Sequence, residues 1–230
     1  MLESFSDIKH AIYINLDSRP DRRKQFEQHY TKLQQEFPND CRFSQVHRFP
    51  AIKNELHGAI GCSKSHAQCI RIAKANNWEH VIIFEDDAVV IQPKILFDKV
   101  NCFLRDFKDN FDVLLLSGNN YTPFNMINDA CCQVFNCLCC TCYIVKSHYY
   151  DTLIKNFDDG ATLLSIHPNE KRIYACDSYW KQLQNVDSWY LIVPICISQR
   201  PDYSDIEKQF VNYDTLLLNY NKEQYQKSTK

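Results

Sequence analysis

The 230-residue sequence predicts a single α/β domain, with a mostly parallel central sheet flanked by helices. Three observations lead there. Short runs rich in β-branched and aromatic residues alternate with amphipathic stretches, and the order strand, helix, strand gives parallel pairs with helices covering the sheet. The most apolar of these runs, Val81-Ile82-Ile83-Phe84, is followed at once by Glu85-Asp86-Asp87. A buried strand cannot carry unpaired carboxylates into the interior, so the acids mark the strand's carboxyl end. In open α/β sheets, ligands bind outside that end.

Taken in order, Ala11-Ile12-Tyr13-Ile14 reads as a first strand ending at Asn15-Leu16-Asp17. A helix should start near Ser18 or Arg19, with Ser18 as cap and Pro20 in the first turn. Phe26, Tyr30, Leu33 and Phe37 recur at helical spacing and form its sheet-facing side. Residues 49–52 are a short strand or connection. Residues 63–75 form a second helix, with His66, Cys69, Ile70 and Ala73 on one face. Residues 81–84, 113–116, 138–145 and 191–193 are further strands. Residues 147–157 are helical, with Tyr150, Leu153 and Ile154 inward, and Asp158-Asp159 reads as a turn before Gly160. The domain is expected to span residues 1–218, followed by a polar tail, 219–230, that frays.

Composition removes some function classes. Hydrophobic residues make up 45% and charged residues 23%, and the formal net charge is -2. That balance gives no electrostatic case for nucleic acid. No apolar stretch approaches the ~18 residues of a membrane span. Residues 1–7 lack the basic region and apolar core of a signal peptide, so a cytoplasmic protein with free thiols is expected. Six of the twelve cysteines fall within residues 131–142, including a C-x-x-C at Cys139–Cys142. No second ligand pair completes a structural zinc site, and this segment reads instead as a strand using cysteine as a small hydrophobe. With four glycines in all, the chain carries no G-x-G-x-x-G or Walker A phosphate cradle.

Three segments can carry chemistry. The acidic triplet is either a solvated turn or a site for a hard divalent cation, such as Mg²⁺ held by one or two carboxylates plus substrate phosphates. After the first strand comes Asn15-Leu16-Asp17-Ser18-Arg19-Pro20-Asp21-Arg22-Arg23. There Arg19, Arg22 and Arg23 could reach a diphosphate at a helix N-terminus, and Asp17 a sugar hydroxyl. The other reading is a charged first turn with solvated arginines. Gly61-Cys62-Ser63-Lys64-Ser65-His66 sets Lys64, Ser65 and His66 at another helix start, where His66 could equally be a core histidine and Lys64 a surface lysine.

Together, residues 13–23, 58–66 and 84–88 resemble glycosyltransferase family 25, which includes bacterial lipooligosaccharide and animal procollagen galactosyltransferases. The resemblance covers residues 12–91 and extends more loosely through Cys142-Tyr143-Ile144-Val145, Asp177 and Ser204-Asp205-Ile206. It departs at Lys64, where bacterial members more often carry an apolar or small residue. It implies a GT-A-like fold, with a donor-binding half at about residues 8–118 and an acceptor half at about 119–218. The implied donor is a UDP-sugar, commonly UDP-galactose, with Mn²⁺ or Mg²⁺ as cofactor and a glycan or hydroxylysine hydroxyl as acceptor. Asn15, Leu16, Asp17, Arg19, Arg23, Lys64, Ser65, His66, Glu85 and Asp86 are the implied donor-site residues. The triplet stands for the family's D-x-D metal motif, with Asp87 the direct ligand and Glu85 a contact to metal, water or ribose. The family inverts the anomeric centre, which needs a base, and Asp177 is the first candidate with Asp205 the second. Two alternatives stand beside this reading. One is a phosphohydrolase, disfavoured by the Ala88-Val89-Val90 that follows the acids, and the other is a catalytically inactive sugar- or partner-binding relative.

Overall fold

The computed structural model describes residues 2–41, 46–108 and 110–222. The chain opens with strand β1 (Ala11–Asn15), helix α1 (Pro20–Glu36), β2 (Val46–Pro50), α2 (Gly58–Ala75), β3 (His80–Glu85), β4 (Ala88–Val90) and α3 (Pro93–Phe107). Five strands follow: β5 (Val113–Leu115), β6 (Asn119–Asn120), β7 (Phe124–Met126), β8 (Cys131–Val134) and β9 (Cys137–Leu138). After β10 (Cys142–Lys146) come the long helix α4 (Tyr150–Ile166) and the short helices α5 (Lys171–Tyr174), α6 (Cys176–Tyr179) and α7 (Lys181–Gln184). The chain ends with β11 (Trp189–Ile192), β12 (Ile197–Gln199), β13 (Asp202–Ser204), β14 (Gln209–Val211) and α8 (Asp214–Leu217).

The central sheet has eight strands in the order β2-β1-β3-β10-β5-β11-β8-β7. The pairings run β2, β1, β3, β5, β11 and β7 in one direction, and only β10 and β8 against them among the described residues. Alternation along each strand divides the core between two faces. Tyr13, Ile82, Phe84, Leu114 and Ile144 meet Phe26 and Leu33 of α1 and Phe97, Val100 and Phe103 of α3. Ile12, Ile14, Val81, Ile83, Leu115 and Val145 meet Ala67, Ile70 and Ala73 of α2 and Leu153 and Phe157 of α4. Burial on both faces is why β1 and β3 read as unbroken apolar runs.

Several boundaries differ from the sequence expectation for local reasons. Arg19, not Ser18, stands at the N-cap of α1, without a side-chain cap bond, while Pro20 does open the helix. Helix α2 begins at Gly58, five residues before the expected start, because the His57 ring accepts the Ala59 N–H and Asn54 takes the N–H groups of Leu56 and His57. The expected strand at 138–145 is broken at Cys139, whose φ of 83° is left-handed. Helix α4 runs straight through Asp158-Asp159. Gly160 marks a close approach rather than a turn, since a Cβ there would lie 2.9 Å from the Tyr174 carbonyl oxygen. Of the tail, residues 223–230 lie outside the described residues. Tyr220 packs against Phe124, and Lys222 Nζ donates to the Asn120 carbonyl at 2.7 Å.

Candidate active site

Register brings the chemistry together. Ile14 pairs with Glu85, so β1 and β3 end at the same edge of the sheet. Just beyond them Asn15 Nδ2 donates to Asp86 Oδ2 at 2.6 Å, while Asn15 Oδ1 accepts from Arg48 Nε at 3.0 Å. The chain turns at Asp86-Asp87 because β4 pairs antiparallel with β12, and the Arg200 N–H closes on the Asp87 carbonyl at 2.7 Å. That pairing sets Gln199 Nε2 3.0 Å from Glu85 Oε2. A cleft of about 640 Å³ opens over this edge.

One wall of the cleft is α1 against the β13–β14 hairpin. Arg19 donates to Asp21 (2.8 Å), Asp202 (2.6 Å) and Asp205 (2.8 Å). Arg22 donates to Asp86 (3.1 Å), Asp87 (3.2 Å) and Asp202 (3.0 Å). Both guanidinium groups are largely buried in this network, where charge-assisted bonds are at their strongest. Asp86 and Asp87 resist ionisation even so. Burial, with the Glu85 charge added, pushes Asp87 up to about 8, and burial also raises Asp86. Asp87 Oδ1 is buried and has no hydrogen-bond partner among the described residues.

The opposite wall is built from α2, α6 and the turn at Cys139. Asp177 sits in the first turn of α6, and its Oδ2 accepts the Cys139 N–H at 3.0 Å. The left-handed backbone at Cys139 turns that N–H toward the carboxylate. Burial, followed by the Cys176 charge, pushes Asp177 up to about 7. Beside it, the Cys176 thiol lies 3.5 Å from Cys140 and 3.6 Å from Cys62, and bonds from Cys140 and then Cys62 hold it well below the usual thiol range. All twelve cysteines are free thiols.

Of the residues expected from the sequence, Leu16, Arg19, Ser65, His66, Glu85, Asp86, Asp87, Asp177 and Asp205 line the cleft. Ser65 is spent inside the fold, accepting the Ile52 N–H and donating to the Gly61 carbonyl. Gly61 permits this, since a Cβ there would lie 2.2 Å from the Ile52 carbonyl oxygen. Asn15 is buried beneath Asp86 and positions it. Asp17 is exposed and pairs with Arg48, and Arg23 is exposed and pairs with Glu27. Lys64 points to solvent from the middle of α2. None of these three lines the cleft. Cys62 and Asp202 were not expected, and Gln199, whose loop could have supplied a metal ligand or a diphosphate contact, bonds Glu85 instead. Cys62 and His66, four apart on one helix face, were a readable signal, whereas Gln199 and Asp202 reach the site only through the β4–β12 pairing.

The Asp87 Oδ1 atom, buried beside two further carboxylates, is a hard oxygen donor without a partner among the described residues, and such a group fits Mn²⁺ or Mg²⁺.

An α/β domain with an acid-lined cleft at the carboxyl edge of its sheet belongs to the class that binds ligands at this edge. Within that class, the model of glycosyltransferase family 25, described as LPS biosynthesis protein, matches residues 8–182, and the chain belongs to that family. No curated protein matches the chain. Solved structures resemble it at low identity. A Drosophila β-1,4-galactosyltransferase 7 mutant, in complex with manganese, UDP-Gal and xylobiose, is 10% identical with a TM-score of 0.37, covering 64% of this chain and 52% of that one. The likeness therefore spans about half of that protein. A protein from STIV is 13% identical, with a TM-score of 0.46, covering 92% and 95%. A glycosyltransferase involved in glycosylation of the major capsid of PBCV-1 is 8% identical, with a TM-score of 0.40, covering 80% and 92%. Among the described residues, no helix is long and apolar enough to cross a membrane.

Proposed function

We propose that the chain is a GT-A-like, metal-dependent, inverting glycosyltransferase. In this reading it moves a sugar, galactose first among the candidates, from a UDP-sugar to a hydroxyl of a glycan or hydroxylysine. The observation that carries the proposal is the pairing, in one cleft, of an orphaned buried carboxylate oxygen on Asp87 with a second carboxyl, Asp177, raised to about 7. Environments that separate carboxyl roles in this way are how a site divides cation binding from proton transfer.

Asp87 offers the oxygen that would hold Mn²⁺ or Mg²⁺. When bound, such an ion stabilises the charge that grows on a departing diphosphate. Asn15 fixes Asp86 alongside through its 2.6 Å bond. Arg22 shares its guanidinium among Asp86, Asp87 and Asp202, so it holds the acids together and lends positive charge next to the diphosphate. Ile14, Leu16 and Ile52 give the cleft an apolar ledge for a nucleobase. Across the cleft, Asp177 takes the acceptor's proton as the new glycosidic bond forms. A base near neutrality suits that step, because its deprotonated form is populated while it keeps affinity for the proton. The Cys139 N–H orients the carboxylate. Asp205 serves this role less well, since Arg19 already occupies its Oδ2.

Calorimetry with UDP tests the reading. UDP should bind in Mn²⁺ and bind on the order of 100-fold more weakly in chelator. Equal affinity with and without the metal would sink the metal-dependent reading. No UDP binding in either condition would favour a sugar- or partner-binding relative.

A further inference from the structure

We propose that Cys62, His66 and Glu85, with Cys176 as a fourth donor, form a binding site for Zn²⁺ or a comparable borderline-soft divalent cation on the inner wall of the cleft. The site goes beyond the transferase reading and does not depend on it. It is also chemically distinct from the oxygen donor at Asp87, because soft thiolate and imidazole donors select zinc-like ions over magnesium and manganese.

Geometry carries the inference. One donor atom from each of Cys62, His66 and Glu85 lies within 4.8 Å of the other two. His66 Nε2 is 3.7 Å from Glu85 Oε1, Cys62 Sγ is 3.9 Å from that same oxygen, and Cys176 Sγ is 3.6 Å from Cys62 Sγ. Tetrahedral zinc, with Zn–S of about 2.3 Å and Zn–N or Zn–O of about 2.0–2.1 Å, separates neighbouring donors by roughly 3.4–3.8 Å. The His66–Glu85, Cys62–Glu85 and Cys62–Cys176 spacings lie within a few tenths of an ångström of that range.

The second observation is His66 itself. The residue is fully buried, and among the described residues Nε2 has no hydrogen-bond partner. A buried polar atom left without a partner is costly. Its other ring nitrogen, Nδ1, is 3.0 Å from the Tyr143 hydroxyl. Fixing the far nitrogen by a hydrogen bond is the arrangement that orients a metal-bound imidazole and sets its tautomer. Cys62 and His66 lie one turn apart on α2, while Glu85 ends β3 and Cys176 opens α6, so an ion here would tie three elements together. On binding, the Cys62 thiol gives its proton to solvent and becomes a thiolate ligand.

Cobalt(II) titration of the chelator-treated full chain provides the test, because thiolate ligation adds an ultraviolet charge-transfer band and tetrahedral geometry adds visible d–d bands. One equivalent should produce both, and Zn²⁺ should abolish them by displacement. Cys62→Ser should lose the charge-transfer intensity of one thiolate and weaken zinc by more than about tenfold. Cys102→Ser, on α3 across the sheet, should change neither. Asp87→Asn should leave the bands in place while altering UDP binding, which separates this site from the donor-metal reading. Absence of a thiolate band in the wild-type protein, or its full retention in Cys62→Ser, would overturn the proposal. A measurement free of variants stands beside these: Zn²⁺ should slow iodoacetamide labelling of Cys62, mapped by mass spectrometry. An unchanged rate would also overturn it.

Discussion

The two walls of the cleft treat charge in opposite ways. On the α1 side, Arg19 and Arg22 are matched by Asp21, Asp86, Asp87, Asp202 and Asp205 in one connected network. On the α2–α6 side, buried polar groups lack partners or hold protons: among the described residues His66 Nε2 has no hydrogen bond, and Asp177 is raised to about 7. Asp87 stands between the walls, with one oxygen on Arg22 and the other bare. The difference teaches where ligand capacity lies. A satisfied network rigidifies, whereas an unsatisfied buried group gains most from a ligand. The arginine-rich segment therefore serves first as a clamp on the acids, and the unspent chemistry sits in carboxyls, imidazole and thiols.

The strongest way to break this comparison is to remove the unspent groups. Asp177→Asn should lower kcat on the order of 10²–10⁴-fold, the usual range for losing a general base, while UDP affinity stays unchanged by calorimetry. A parallel loss of UDP binding would move Asp177 out of the proton-transfer role. Asp87→Asn should cost on the order of 10²–10³-fold in kcat and remove the metal dependence of UDP binding. Retention of Mn²⁺-dependent binding in that variant would return Asp87 to the structural network.

Legibility in the sequence followed the range of the interactions. The edge of the sheet was readable because Val81-Ile82-Ile83-Phe84 cannot continue into Glu85-Asp86-Asp87, which is local chemistry. Pro20 at the start of α1 and the inward face of Phe26 and Leu33 were readable for the same reason. The start of α2 was misplaced because its cap is a histidine ring, outside the usual set of capping side chains. The Asp202 partner shared by Arg19 and Arg22 was invisible, since it lies 180 or more residues away and arrives through the β4–β12 pairing. Lys64 was drawn into the candidate site by the helix start expected beside it, but the helix begins at Gly58 and sends Lys64 to solvent from its interior.

The satisfied wall can be tested through stability. Arg22→Met removes the only cation bonded to Asp87 among the described residues and leaves Asp86 and Asp87 buried together. Breaking a buried pair from one side costs about 3–5 kcal/mol, and urea denaturation should show a loss near the lower figure. A change below about 1 kcal/mol would mean that the network behaves like surface ion pairs.

A smaller effect should appear in the pH dependence of melting. Asp177 rises from 3.8 to about 7 in the folded chain. Between these values the native state keeps a proton that the unfolded state has released, so this group makes stability fall as pH rises through the window. The slope is at most about 1.4 kcal/mol per pH unit for one proton. Asp177→Asn should flatten the decline of melting temperature across that range. An identical pH profile in the variant would show that Asp177 ionises as an ordinary exposed acid does.

The least effect belongs to the residues that share the motifs without sharing the cleft. Arg22 and Arg23 are neighbours in sequence, but successive helical residues point about 100° apart. That rotation takes Arg22 into the acid network and leaves Arg23 on the surface with Glu27, one turn along. Lys64 is likewise flanked by the buried Ser63 and Ser65 yet exposed itself. Exposed charges of this kind contribute little beyond the surface. Arg23→Ala and Lys64→Ala should therefore keep kcat/KM within about twofold of wild type, the scale of ordinary surface substitutions. A tenfold fall in KM-linked affinity for the UDP-sugar in either variant would show that the donor reaches past the cleft onto the outer face of α1 or α2. The division between a satisfied wall and an unsatisfied one would then have to include the surface around it.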